Sequence, residues 1–289
     1  MDSCCLTEYE RSLYTRYGEL ESRIGCEMKS AGGVHLTARR FASADNRRLF
    51  CHQLEISCEE GGVLEFSTGI NGQITNSGVA HFDRMEARVF EHCRMFLECG
   101  CDDGQILSVM TVCSTGESRE PAAFHLERRA VYQDFKKELQ PGEVWTISKY
   151  TLFDVENRKE SSGKTDGQVL VEMTDVLAEA LKAGYGELNR RHRDAFERFW
   201  DMAAIEITGA AKEERAAVEF AEYHLAGMVP WEGDSCSIAA KGLTGEGYKG
   251  HVFWDTEIFI MPFFIQMFPE TARNLLLCLL YTSDAADEL

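Results

Sequence analysis

The sequence predicts a mixed β and α protein in which an antiparallel β-sandwich comes first and helices follow. Between residues 34 and 157, apolar and polar residues alternate with a period of two in several short segments, a pattern typical of strands with one face on a core. Turn signals separate these segments, and no helical pattern lies between most of them. From Val169 onward, apolar residues recur at helical spacing instead. This order favours a sandwich followed by helices over a doubly wound sheet.

The clearest strand starts at Phe50, where alternate residues are mostly apolar and the residues between them are mostly polar. The mostly apolar set, which we expect on the core face, is His52, Leu54, Ile56 and Cys58. A turn at Gly61-Gly62 follows, and Leu64 and Phe66 then continue the alternation. Asn71-Gly72 predicts a hairpin turn because both residues tolerate positive φ.

Further strands are predicted over residues 87–97, 105–113 and 144–153. Turns are expected at 102–104, which reads Asp-Asp-Gly, and at Pro141-Gly142. The polar stretch 156–167 has no periodicity, and we place a linker there.

Three helices are predicted after this linker. The first carries Val169, Met173, Val176, Leu177 and Leu181 and ends at Gly184. The second runs from Leu188 toward Gly209, and the third carries Val218, Phe220, Leu225 and Met228 and ends at Pro230. His192 and His224 lie on or beside these apolar faces, where a hydrogen-bonded core or boundary role is commoner than a catalytic one.

Charge and hydropathy narrow the function classes. The formal net charge of −18 argues against nucleic acid or an anionic membrane as a partner, because both would repel the chain. The most apolar run, 258–268, is interrupted by Pro262 and Gln266 and is too short to cross a bilayer. No basic region followed by an apolar one marks the amino terminus, so we expect a cytoplasmic protein without a signal peptide.

The chain contains eleven cysteines. An odd number without a secretory signal indicates free thiols in a reducing compartment rather than a disulfide framework. Cys99-Gly100-Cys101 lacks the spacing and the second matching pair of a structural zinc site. We therefore expect no metal.

The chemistry is concentrated in residues 242–264. A glycine-rich loop leads there into an aromatic and acidic group and then into an apolar run. A sugar site needs this mixture, because an indole covers the apolar face of a pyranose and carboxylates accept hydrogen bonds from its hydroxyls. The alternative is that Trp254 and the phenylalanines are simply core residues.

The same stretch contains the letters of a dinucleotide fingerprint. Gly245-Glu246-Gly247-Tyr248-Lys249-Gly250 fits G-x-G-x-x-G, but this fingerprint is meaningful only between a buried strand and a helix. The residues before it, 239–244, do not have a strand pattern, and no Lys-Ser/Thr pair follows to form a phosphate loop. We reject a nucleotide site and expect no cofactor.

Residues 237–264, SIAAKGLTGEGYKGHVFWDTEIFIMPFF, resemble the signature at the start of the catalytic domain of glycoside hydrolase family 65. Weaker likeness extends upstream to residues 9–13, 40–43 and 67–76. The family comprises inverting phosphorylases of maltose, trehalose, kojibiose or nigerose, together with acid trehalases. The resemblance implies an incomplete amino-terminal β-sandwich over 1–157, a linker with linker helices over 158–229, and the start of an (α/α)₆ barrel over 230–277.

We expect this chain to begin part-way into the sandwich domain and to be cut after Leu277. Residues 278–289 are similar to a translated sequencing adapter, and we exclude them from the fold. Glu219 also departs from the family, which has a basic residue at this place, and this puts in doubt any contact made by the third helix.

The resemblance implies a fragment of an inverting disaccharide phosphorylase, in which inorganic phosphate, as a co-substrate, cleaves an α-glucosyl disaccharide to β-glucose 1-phosphate and glucose. No catalytic residue is expected within the 289 residues, because the general acid and the phosphate loop would lie downstream. The resemblance also implies a homodimer for the intact protein. An acid trehalase-like hydrolase and a non-catalytic carbohydrate-binding module remain alternatives.

By the same resemblance, Trp254 and Asp255 match the family's sugar-binding pair in the donor subsite. Trp254 would stack on or contact the glucose edge, and Asp255 would accept hydrogen bonds from its hydroxyls. Glu257 is a weaker candidate, because a carboxylate there could equally belong to a helix start. For His251 and Lys241, a role in stabilising the loop is the better hypothesis.

Overall fold

The structure is a computed structural model, and it describes residues 5–28, 31–101, 104–116, 123–157, 166–231, 233, 235–242, 245 and 247–284. The chain forms two compact units, residues 1–196 and 197–289. The strands are β1 (Cys5–Tyr14), β2 (Glu19–Met28), β3 (Gly32–Ala42), β4 (Leu49–Cys58), β5 (Gly62–Asn71), β6 (Phe82–Phe90), β7 (Arg94–Cys101), β8 (Gln105–Ser114), β9 (Ala123–Glu127), β10 (Ala130–Leu139) and β11 (Val144–Asn157). The helices are α1 (Asp166–Ala203), α2 (Lys212–Met228), α3 (Met261–Met267) and α4 (Pro269–Asp284).

The first unit is the predicted antiparallel sandwich. Eight strands form a large sheet in the order β1-β2-β3-β4-β11-β8-β7-β6, and three form a small sheet in the order β5-β10-β9. Every strand pair is antiparallel. The chain crosses between the sheets after β4, β5, β8 and β10, so the small sheet joins β5 to the consecutive strands β9 and β10, which are far from it in sequence.

The central strands of the large sheet are covered on both faces. Toward the small sheet, apolar side chains such as Ile56 and Trp145 meet Leu139, Phe66 and Phe135. On the opposite face, helix α1 packs on the sheet through buried residues that are contributed by both elements: Phe41, Leu49, Cys51, Met110, Tyr150, Leu152, Val169, Met173 and Leu177. The middle of the sheet is therefore a central layer, which is why its central strands have apolar residues on both sides.

This arrangement corrects the prediction that β4 has one core face. Ile56 and Cys58 are buried toward the small sheet as expected, but Cys51, one of the intervening residues that the alternation places on the polar face, is fully buried under α1. Burial raises the pKa of the Cys51 thiol to about 12, so it stays protonated at neutral pH.

Two predictions of local strand connection are wrong. Asn71-Gly72 does not form a hairpin, because β5 pairs with β10, and the Gly72 amide donates to the carbonyl of Arg129 at 2.8 Å. Residues 87–97 are not one strand but the hairpin of β6 and β7, with a 3₁₀ turn at Glu91–Cys93 in which His92 and Cys93 have positive φ.

Other local predictions are confirmed. β8 and β11 cover the predicted segments 105–113 and 144–153. Gly142 has φ of 73° in the turn between β10 and β11. β11 continues through Asn157, and residues 158–165 of the predicted linker lie outside the described residues, as do Asp102 and Asp103.

The helices break or end near the residues at which the sequence predicts it. The first two predicted helices are joined in α1, which is broken at Gly184, where φ is 76° and ψ is 165°. α2 ends at Met228, before Pro230, but Phe220 on its predicted apolar face is 50% exposed. Within the described part of the chain, no helix combines the length and apolar character that crossing a bilayer requires.

His192 is the core histidine that the sequence predicts. Its ring is fully buried, lies stacked on Phe41 with ring centroids 4.4 Å apart, and meets the edge of Phe196. The backbone amide of Ala44 donates to its Nδ1 at 3.1 Å. Burial lowers the pKa of His192 to about 4, so the ring is neutral at pH 7 and can accept this hydrogen bond.

Candidate functional site

The site segment, residues 237–264 in the second unit, is held together by two hydrogen bonds between its first residues and its later ones. The hydroxyl of Thr256, which is fully buried, donates to the carbonyl of Ile238 at 2.8 Å. The Ala240 amide donates to the carbonyl of His251 at 3.2 Å. These two hydrogen bonds hold the start and the end of the glycine-rich loop side by side. They therefore fix the backbone position of Trp254 and Asp255, which follow the loop.

The loop needs glycine at position 242. Gly242 has φ of 58°, and a Cβ atom there would collide with the sulfur of Met228. A larger residue would therefore meet both backbone strain and a steric clash.

The glycine fingerprint lies outside the context of a nucleotide site. Gly247–Gly250 forms a 3₁₀ turn. Between α2 and this turn, the described residues form no strand, whereas the dinucleotide fingerprint requires one directly before it.

Trp254 lies at the surface next to a second aromatic ring. Its side chain is 59% exposed, and the Phe259 side chain is 69% exposed. The two ring centroids are 5.8 Å apart, with planes tilted by 48°. Phe259 belongs to the π-helical turn Thr256–Ile260, which begins two residues after Trp254 and in which the Met261 amide donates to the Thr256 carbonyl, five residues back. Two exposed rings at this spacing form an apolar platform of the kind that a pyranose can cover.

Phe259 was missed by the sequence reasoning. A spacing of five residues places two side chains on different faces of an ordinary α-helix, so the pattern does not stand out in a search for helical periodicity. Phe259 is revealed instead by a structural feature, the local departure from α-helical geometry at the π-helical turn. Such turns are frequent at functional sites.

Asp255 directly precedes the π-helical turn and is half-buried. Among the described residues, nothing donates a hydrogen bond to its carboxylate, and no cation pairs with it. Both carboxylate oxygens therefore have free acceptor capacity beside the Trp254 ring. Glu257 lies in the first turn and is exposed, which fits a helix-start carboxylate as well as a ligand.

His251 and Lys241 make contacts of the kind that hold a loop together. The His251 side chain is exposed, while its backbone amide donates to the Tyr248 carbonyl at 2.9 Å. The Lys241 ammonium lies 5.0 Å from the centroid of the Tyr248 ring, a cation-π distance. Tyr248 in turn meets the edge of Phe253.

The last residues of the site segment pack into an aromatic cluster of the second unit. Phe264 is fully buried, and Phe268 stacks on Phe199 with centroids 5.6 Å apart. Trp231 packs edge-on against Phe268 and donates its indole N–H to the Ala226 carbonyl at 2.9 Å. This cluster also contains Ile260 and Met261, so it packs the residues that directly follow the exposed Phe259 ring.

A separate groove of about 500 Å³ lies on α3 and α4. It is lined by Ile265, Pro269, Ala272, Arg273, Leu276, Leu277 and Leu280, and it contains neither Trp254 nor Asp255. Apart from Arg273, its walls are apolar, so it lacks the set of converging hydrogen-bonding groups that a sugar needs.

Two family models match the chain. Residues 1–199 match the N-terminal domain of glycosyl hydrolase family 65, and residues 219–288 match the central catalytic domain of that family. Together they cover the sandwich, most of α1 and α2, and the whole site segment.

Curated relatives match almost the whole chain. A kojibiose phosphorylase of Halothermothrix orenii is 34% identical over 97% of this chain and 37% of its own length. A kojibiose phosphorylase of Escherichia coli is 30% identical over 93% of this chain and 35% of its own length, and a nigerose phosphorylase of Lachnoclostridium phytofermentans is 27% identical over 93% and 37%. The chain thus spans little more than a third of the length of these relatives.

A solved structure has the same fold. It is a protein from the human microbiome proposed to be a kojibiose phosphorylase, and it superposes with a TM-score of 0.86 over 96% of this chain and 36% of its own. At 18% sequence identity, this match supports the architecture of a sandwich followed by the first helices of a barrel.

Proposed function

The chain belongs to glycosyl hydrolase family 65, and on that premise we propose that it is part of an inverting disaccharide phosphorylase. The curated relatives that support this proposal are phosphorylases of kojibiose, nigerose and trehalose. The proposed reaction cleaves an α-glucosyl disaccharide with inorganic phosphate and yields β-glucose 1-phosphate and glucose.

In this reaction, a phosphate oxygen forms a bond to the anomeric carbon while the bond to the glycosidic oxygen breaks. Phosphate is already an anion, so the protein need not supply a base. It must donate a proton to the leaving oxygen, orient the phosphate and hold the donor glucose. We assign the first two tasks to a carboxylic acid and a phosphate-binding loop that the 289 residues do not include.

The third task is the one we assign to this chain. The observation that carries the assignment is the exposed Trp254 ring beside the unpartnered Asp255 carboxylate at a fixed point of the loop. Trp254, with Phe259 next to it, would cover the apolar face of the glucose ring, while Asp255 would accept hydrogen bonds from its hydroxyls. Glu257 and His251 are close enough in sequence to add a further contact.

The experiment that tests this function compares two proteins on kojibiose, nigerose, trehalose and maltose. The complete gene product should release β-glucose 1-phosphate from at least one of these disaccharides, and only when phosphate is present. The 289-residue chain should release none, because we assign the proton donor to a part of the protein outside it. Hydrolysis without phosphate by the complete protein would instead support the acid trehalase-like alternative.

Release of β-glucose 1-phosphate by the 289-residue chain alone would contradict the assignment of its role. We also propose that the complete protein is a cytoplasmic homodimer, which fractionation and light scattering can check.

A further inference from the structure

A cavity of about 300 Å³ lies between the two sheets of the sandwich. The buried side chains of Ile70, Leu97 and Val109 form an apolar wall of the cavity. Phe153, which also lines the cavity, is 42% exposed. Residues 69–72 and Ile74, from one of the segments that resemble the family, line one side. The cavity belongs wholly to the first unit and has no part in the proposed sugar site.

Two basic side chains, His52 and Lys149, line one wall of this cavity, and a third, Arg40, is next to them on the same face of the large sheet. His52 of β4 is directly opposite Lys149 of β11 in the sheet register, and Arg40 of β3 is directly opposite His52. Paired residues in a sheet share a face, so all three project from the side of the large sheet that faces the small sheet. In a protein with a net charge of −18, this is an unusual concentration of basic groups.

These groups have no compensating negative charge within the part of the chain that the structure describes. No carboxylate there is within ion-pair distance of Lys149 or Arg40. Burial lowers the pKa of Lys149, and burial together with its two basic neighbours lowers the pKa of His52 to about 4. Burying an ammonium without a counter-ion is costly, and an anion in the cavity would relieve this cost.

The count of hydrogen-bond donors specifies the anion. An ammonium has three N–H groups, and Lys149 donates two of them, to Thr68 Oγ1 at 3.1 Å and to the Gly69 carbonyl at 2.6 Å. The Nε2 atom of His52 is buried and has no partner among the described residues. One ammonium N–H remains, and in the tautomer of neutral His52 that carries its proton on Nε2 one imidazole N–H remains as well; together these two donors match the two oxygens of a carboxylate.

A purely structural role for Lys149 accounts for part of this arrangement. Its two hydrogen bonds tether β5 to β11 and thus the small sheet to the large one. This tether does not explain the orphaned His52 nitrogen, the third ammonium proton or the adjacent Arg40. It also does not explain why an open cavity with apolar walls lies next to them.

We propose that this inter-sheet cavity binds a small organic carboxylate with an apolar body. The carboxylate pairs with Lys149 and His52, and the apolar body lies against Ile70, Leu97 and Val109. The site is independent of the proposed phosphorylase function, because it uses no residue of the sugar site.

The test uses the purified 289-residue chain and 4-fluorobenzoate, whose binding is followed by fluorine NMR. We expect saturable binding, and intermolecular contacts from the probe to the methyl groups of Ile70 and Val109. Lys149→Met keeps most of the apolar stem and should weaken binding by about tenfold or more. His52→Phe keeps the ring and removes the nitrogen, and it should also weaken binding.

Two controls make the test specific. Lys136→Met removes an exposed lysine on β10 that pairs with Glu65 and should leave binding unchanged. The neutral 4-fluorobenzamide should bind much more weakly than the acid, and inorganic phosphate should not displace the probe.

The proposal is overturned if no saturable binding occurs, or if Lys149→Met, shown to be folded by circular dichroism, binds as the parent does. Equal binding of the amide would show that the cavity does not recognise a carboxylate. Displacement by phosphate at equal concentration would show that the apolar body of the ligand is not recognised. Either result would also overturn the proposal. Because the sugar assays do not involve these residues, failure here leaves the phosphorylase proposal intact.

Discussion

Replacing Asp255 by alanine in the complete protein is expected to lower kcat/KM for its disaccharide by about 100-fold or more. The carboxylate stands beside an exposed indole and has no partner of its own in the described structure. In the sugar complex it would accept hydrogen bonds from glucose hydroxyls, and charged hydrogen bonds are stronger than neutral ones. The measurement is the rate of phosphate-dependent release of glucose 1-phosphate as a function of disaccharide concentration.

Two further variants make this prediction specific. Asp255→Asn keeps one acceptor oxygen without the charge and should fall between the parent and Asp255→Ala. Glu270→Gln changes an exposed carboxylate in the first turn of α4, which is outside the sugar site, and should keep the parental kcat/KM. If Asp255→Ala also keeps it, Asp255 does not hold the donor glucose.

The second large effect concerns stability. His192→Ala should lower the free energy of unfolding of the first unit by about 3–5 kcal/mol, the range for losing a large buried ring. The change removes the stacking on Phe41 and leaves the Ala44 amide without its acceptor. Urea unfolding followed by circular dichroism measures the loss, provided that the slope of the transition is unchanged.

The pH dependence gives this variant a second readout. The pKa of His192 is about 4 in the folded chain and about 6.5 when unfolded. The unfolded state thus binds more protons between these values, and the contribution of neutral His192, which is complete above pH 6.5, is lost as the pH falls toward 4. The parent should lose stability over this window, and His192→Ala should lose less. The variant should still lose some stability as the pH falls, because His52, whose pKa is also lowered to about 4, remains in it.

Arg190→Ala serves as a control on the same helix. Arg190 is exposed and pairs with Glu187 and Asp194, and surface pairs of this kind contribute less than about 1 kcal/mol each. A loss from His192→Ala no larger than that from Arg190→Ala would show that the buried ring does not stabilise the unit.

The sequence predicted those parts of the fold that depend on local signals. β8 and β11 follow from alternation, and the break at Gly184 and the end of α2 follow from residues that punctuate helices. The failures concern partner choice. Asn71-Gly72 has the composition of a hairpin turn, but the pairing of β5 with distant β10 is decided by the packing of Phe66 on Phe135 and Trp145 in the core.

The edge strand β1 escaped prediction for a related reason. Nearly all its side chains are exposed, so the strand has no alternation of apolar and polar residues that would reveal it. For the site, family resemblance pointed to Trp254 and Asp255, whereas the role of Phe259 became visible only in the structure, where its ring lies beside that of Trp254.

Glucose titration of the 289-residue chain, followed through Trp254, tests the central claim most directly. Trp145 and Trp200 are buried and Trp231 is half-buried, so acrylamide quenching reports mainly on Trp254. Glucose should reduce this quenching in a saturable way, and the protection should be lost in Asp255→Ala. Quenching that glucose leaves unchanged, or equal protection in Asp255→Ala, would contradict the assignment of Trp254 and Asp255 as the glucose-binding pair.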